Sequence, residues 1–437
     1  MPRMRPPVVV LFSVALAAAA IPARLTAQTP PGPRSPADSA QAAMDSLADR
    51  VERAEQAIEV LRRQLGEQRG SGVQSRSRNR IELSGLVLFN GWYNNGRFDN
   101  SDVPHFVTSP QDTSGLPNAS VAAAVRQSRL GLNVSGMQAM GAQLGADIQL
   151  DFFGGQQPSS GGRTFPIPRI RTAFVKLDWR HVGLLVGQET QLISPLNPVS
   201  FAAIGTPEFT AAGNLWFWVP QVRVSYETGN APRFGVQVAA LAPMLGSPQA
   251  AFNTSADSAE KSRRPFVQGR VYVGWGDGET ESQIGIGVHR GWIATTGDSL
   301  LTSAAYSADV RLALGEKILL LGEGFVNGRA TAGLGAGGIG QEFGLAGQPV
   351  RSRGGWGQLN FRPTLSWEFG GGAGVDDPDD AFLTPAQRGL NLIYEGHLHY
   401  RPGGGLILGT TFRRIETTYA SGKLAASQIS GFVGVSF

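Results

Sequence analysis

A chain of 437 residues with 58 Gly, no Cys and only 16% charged residues can build one large closed sheet or several ordinary domains; it excludes disulfides, thiolate metal sites, Cys nucleophiles and a lipidated-Cys anchor. Its 38 Lys and Arg against 34 Asp and Glu leave a net charge of +4, scattered rather than bunched into a basic stripe, which argues against nucleic acid as a partner.

Residues 1–27 read as a signal peptide: Arg3 and Arg5 give a positive start, Val8 to Ile21 an apolar centre, and Ala27 a small residue before a cut at Gln28. The apolar run is shorter than the ~20 residues a helical span needs. A Pro-rich linker covers 28–36. Over 37–70, apolar residues recur at alternating spacings of three and four, the a/d heptad pattern. This predicts a self-associating coiled coil with Met44, Leu47, Val51, Ile58, Leu61 and Leu65 in its core, its oligomer number left open by these residues. Residues 71–79 form a second linker.

From Arg80 to Phe437 the period changes to two. In 142–152, Leu144, Ala146, Ile148 and Leu150 share one face and Gln143, Asp147, Gln149 and Asp151 the other; the same split recurs in 283–288 and 390–400. Strands are expected near 81–95, 124–136, 142–153, 168–178, 181–189, 215–227, 233–243, 266–275, 282–293, 303–313, 317–327, 354–361, 364–373, 389–400, 405–418 and 425–437. Connections alternate long and short, the asymmetry of transmembrane barrels and not of soluble sandwiches. The expected fold is therefore all-β: an antiparallel up-and-down barrel of about 16 strands in the outer-membrane bilayer, preceded by the α-helical coiled coil. An even strand count puts the coiled coil on the short-turn, periplasmic side. Phe437, closing a strand with Ile429, Val433 and Val435 at alternate positions, is expected to be read by the barrel-assembly machinery.

Arg126 to Gly136, Ile167 to Gln188, Val219 to Glu227, Gly354 to Phe361 and the closing strands from Leu390 resemble the 16-stranded bacterial porins, and within them the coiled-coil-bearing trimeric DcaP-like type. The resemblance implies a homotrimer, one aqueous pore per subunit, passive passage of small hydrophilic solutes, and a third loop folded inward. Here that loop is Gln191 to Asn214, with Pro195, Pro198, Phe201, Pro207 and Phe209; its one acid, Glu208, departs from the acid-rich loop of cation-preferring porins.

The alternation places Arg129, Arg169, Arg171, Arg223, Arg270, Arg311 and Arg413 on the inner face, with Asp147, Asp151, Asp309, Glu323, Glu368 and Glu395. Arg129, Arg171, Arg223 and Arg270 come from alternate strands and predict a ladder that guides carboxylates; the competing expectation is that these charges pair and only hydrate the wall. No cofactor, metal or enzymatic centre is expected. The run Gly333 to Gly338 matches a dinucleotide motif but reads as a flexible loop. Asp376, Asp377, Asp379 and Asp380 read as a solvated loop, and His397, His399 and Glu395 as polar lumen residues without a third ligand. A barrel hydrolase and a structural or adhesive anchor are the alternatives to a channel.

Overall fold

The computed structural model describes residues 72–74, 79–108, 117–154, 166–229, 231–245 and 255–437; the expected signal peptide and coiled coil lie outside the described residues. Sixteen antiparallel strands close into a barrel. In chain order they are β1 Arg80–Asn94, β2 in two segments (Ser120–Ala124 and Arg129–Ala139), β3 Ala142–Asp151, β4 Arg169–Asp178, β5 Val182–Thr190, β6 Trp218–Glu227, β7 Arg233–Leu241 and β8 Phe266–Trp275. There follow β9 Ser282–Ala294, β10 Leu300–Leu314, β11 Ile318–Arg329, β12 Arg351–Phe361, β13 Trp367–Pro378, β14 Arg388–Gly403, β15 Leu406–Tyr419 and β16 Gly422–Ser436. Each strand pairs with its chain neighbours, and β16 returns to β1 in the register Ser436↔Leu86 to Gln428↔Asn94, so no long sheet edge remains. A three-residue strand, Gly72–Gln74, pairs with the start of β1.

The period of two is realised as an apolar outside. Val222, Val224 and Tyr226 on β6 and Ile284, Ile286 and Val288 on β9 are all 44–60% exposed, which is stable only against an apolar medium or partner. Trp179, Tyr226, Phe234, Trp275, Phe361 and Trp367 ring the short-turn rim from outside, the position of an aromatic girdle. The inner face carries Asn391, Glu395, His397 and His399 of β14, all buried.

The structure departs from the expected boundaries in two places that matter. β2 breaks at 125–128, because Arg126 and Gln127 turn inward, each 2% exposed, to bond to loops instead of continuing the ladder. β13 begins and ends later than its pattern suggested. Asp376 and Asp377, expected in a solvated loop, therefore sit on the strand: Asp376 is buried and bonded to Ser352 and to Ile339 N (3.1 Å), and Asp377 pairs with Arg353.

A candidate pore and the loop that crosses it

The third loop, residues 191–217 between β5 and β6, lies inside the barrel and is bonded to the wall around most of its circumference. Gln127 beside β2 brackets it, donating to Ala202 O (3.1 Å) and accepting from Ile204 N (2.6 Å). Gln268 of β8 accepts from Leu192 N (2.8 Å), Glu323 of β11 from Leu196 N (2.6 Å), and Gln358 of β12 from Val199 N (2.7 Å). Asn391 of β14 donates to Ala211 O (2.9 Å). These polar wall side chains satisfy loop backbone that would otherwise be buried unpaired.

The loop's far end lies on bare backbone. A Cβ on Gly372 would come within 2.9 Å of Phe209, one on Gly374 within 2.4 Å of Ala212 O, and Gly213 lies against Gly355. Part of the high Gly count thus serves as a seat for the loop, where Phe209 stacks on Trp356 (5.8 Å). Gly213 adopts φ +97°, and a Cβ there would meet Gly355 N at 2.2 Å. Gly213→Ala is expected to destabilise the barrel by at least ~2 kcal/mol, through left-handed strain and overpacking, read as a lower temperature for loss of the folded band on SDS gels. An unchanged temperature would show that the seat gives way freely.

The expected inner-face charges divide into two groups. Arg413 forms a buried ion pair with Glu208, the loop's one acid. Arg169 (2.6 Å) and Arg171 (3.4 Å) share Asp151, and both also donate to loop carbonyls, Gly205 O and Ile204 O. Arg270 binds Asp309 through two nitrogens (2.9 and 2.6 Å). By contrast, Arg129, Arg223 and Arg311 make no ion pair with a carboxylate among the described residues. Arg223 holds Gln221 (3.1 Å) and Thr190 O, and Arg311 holds Glu281 O (3.1 Å). A cavity of about 320 Å³ opens at the turn rim between Asn197 and Val199 of the loop and Arg311, Lys317 and Arg362 of the wall. Pro195, Pro198 and Phe201 lie along the same loop, Phe201 packing edge-on to His399 (4.9 Å).

No protein-family model matches the chain, and no curated protein sequence matches it. Among solved structures it is similar to the outer membrane channel DcaP of Acinetobacter baumannii, with a TM-score of 0.62 and 16% identity over 84% of this chain and 100% of that one. It is also similar to an anion-selective porin from Comamonas acidovorans (TM-score 0.51, 14% identity, 82% and 100% covered) and to Pseudomonas putida OprB (TM-score 0.50, 10% identity, 82% and 94% covered). The fold is that of the 16-stranded outer-membrane porins.

Within this porin fold the remaining expected residues are placed as follows. Asp147 accepts from Thr172 Oγ1 (2.9 Å) on the inner wall. Glu323 also bonds to Ser194 and Trp356, so it holds the loop rather than facing water. Glu395 binds Gln358 (3.3 Å) and His397 (2.8 Å). Glu368 of β13 lies beside His397 and His399 and supplies the third potential ligand that the sequence pattern did not reveal, because it comes from the neighbouring strand. Phe437 exchanges backbone hydrogen bonds with Gly85 (2.9 and 3.1 Å) at the closing seam.

Several wall residues escaped the sequence reading: Gln127, Gln268, Gln358, Asn391 and Trp356. Gln268, Gln358, Asn391 and Trp356 signal only as an amide or indole on a strand face, and Gln127 lies in the break of β2. A buried Ser303–His289 contact (3.0 Å) was also missed; the Ser303 hydroxyl donates to Ala330 O (2.9 Å) and Ser303 and His289 are each 1% exposed, so this pair serves packing.

The Gly-rich run 333–338, expected to be a flexible loop, is packed: Leu334 is 2% and Ile339 0% exposed. In this sixth loop, Glu342 accepts from Gly333 N (3.2 Å) with one oxygen, while burial pushes its carboxyl up to about 7. A carboxyl raised above its unfolded value favours folding while protonated; this contribution is present at acid pH and is lost as pH rises through about 7. Protease nicking of the sixth loop should therefore increase from pH 5 to pH 8 in the wild type and stay flat in Glu342→Gln. Equal pH slopes in the two proteins would remove Glu342 as the cause.

Proposed function

We propose that the chain is an outer-membrane porin, a water-filled channel for passive diffusion of small hydrophilic solutes with a bias towards carboxylate-type anions. The observation that carries this reading is the combination of an apolar-outside 16-stranded barrel, an inward third loop, and inner arginines, Arg129 and Arg223 among them, that no carboxylate holds in a direct ion pair among the described residues. In such a lumen a guanidinium not locked into an ion pair is a fixed cation that can hold a carboxylate in a bidentate bond. The likeness to a channel and to an anion-selective porin supports the same reading.

The outer membrane of a Gram-negative-type bacterium is the matching location, reached through the signal peptide and the assembly machinery. The heptads of 37–70 then stand in the periplasm and favour a homotrimer. Deleting residues 28–70 should reduce trimers on native gels; undiminished trimers would assign oligomerisation to the barrel wall.

Single-channel recording of the detergent-extracted protein in planar bilayers tests the main reading. Stepwise openings, with reversal potentials in a salt gradient that favour anions, are expected. Silent bilayers from well-folded protein would turn the assignment towards a plugged anchor or an enzyme.

A further inference from the structure

We propose that Glu368, His397 and His399 form a binding site for a divalent transition cation of the zinc type, set in the wall near the short-turn rim. The two histidines lie two residues apart on β14, so both imidazoles project inward, stacked at 4.2 Å. Glu368 reaches them from β13: its Oε1 lies 2.9 Å from His399 Nδ1 and 3.8 Å from His397 Nε2. Tetrahedral zinc with metal–ligand distances near ~2.1 Å holds its donors roughly 3–3.5 Å apart, so these two separations bracket what the ion requires.

Three further observations point to a ligand. His397 Nδ1 bonds to Glu395 Oε1 (2.8 Å), a contact that turns Nε2 towards Glu368, the outer-sphere arrangement typical of metal-bound histidine. His397 Nε2 is buried without a hydrogen-bond partner, and so is Asn360 Oδ1. Both atoms border the same spot over Gly370, where a Cβ would come within 2.3 Å of His397 Nε2 and 2.7 Å of Asn360 Oδ1. A side chain at 370 would displace the His397 ring, so glycine there keeps Nε2 beside Asn360 Oδ1, which offers a further oxygen donor. Arg362 and Arg401 bond to the other oxygen of Glu368 and hold the carboxylate in place, while Oε1 shares a proton with His399 Nδ1 that a bound metal would displace. Two imidazoles with a single carboxylate suit zinc over calcium or magnesium, which prefer oxygen ligands.

The test is equilibrium dialysis of the folded, detergent-solubilised full chain against zinc chloride, with bound metal measured by atomic emission. About one zinc per chain is expected in the wild type and in an Arg311→Gln control. His397→Gln and His399→Gln, checked for folding by their heat-modifiable gel shift, should each lower zinc affinity at least tenfold. Zinc should also raise the urea midpoint of the wild type and leave the double variant unmoved. Folded wild type that binds no zinc, or folded Gln variants that bind as much, would overturn the proposal. Because neither readout involves conductance, its failure is distinct from failure of the channel reading.

Discussion

Glu208→Ala is expected to cost on the order of 3–5 kcal/mol of barrel stability and to raise single-channel conductance. Arg413 is 0% and Glu208 2% exposed, so the substitution leaves a guanidinium buried with Gln428 and Ser430 as its remaining hydrogen-bond partners. Glu208 also organises the loop itself, accepting from Ser200 Oγ (2.9 Å) while its carbonyl accepts from Asn214 Nδ2 (2.9 Å). The carbonyl bond survives the substitution, but loss of the side-chain bonds to Ser200 and Arg413 frees the part of the loop that lies across the lumen. Urea unfolding and conductance separate the two effects: adding Arg413→Met should recover most of the stability, since no buried charge is left unpaired, while the conductance stays high. If the single variant matched the wild type in both measurements, the pair would not anchor the loop.

Arg129→Ala together with Arg223→Ala should lower the anion-to-cation permeability ratio. A cation ~4 Å from a passing carboxylate contributes about 1 kcal/mol in water, so loss of two lowers the ratio roughly 5- to 30-fold at low salt, and less at high salt. Arg270 provides the contrast. Its charge is already matched by Asp309, so Arg270→Ala with Asp309→Ala removes no net charge and should leave the ratio in place. Reversal potentials in a potassium chloride gradient report both. Equal shifts in the two double variants would show that pairing does not decide which arginines act on solutes.

The inner face was legible at Arg129, Arg413 or Asp309 because a strand has a period of two, so one residue type at alternate positions fixes which side it faces. Which arginine meets which acid was not legible. Arg413 and Glu208 are 205 residues apart, and Arg169 meets Asp151 only because β3 and β4 happen to pair in that register. The same limit hid Glu368 from the two histidines of β14. Gln127 was missed for another reason: it lies in a break of β2, where a strand pattern has no rule to offer.

By itself the sequence determined the strand number, the alternation of long loops and short turns, and the apolar outside, because each depends on local periodicity and turn composition. Only the tertiary structure decided how the third loop is bonded across the barrel and which charges pair with one another. Those depend on barrel closure and strand register, which bring together side chains that no spacing along the chain connects.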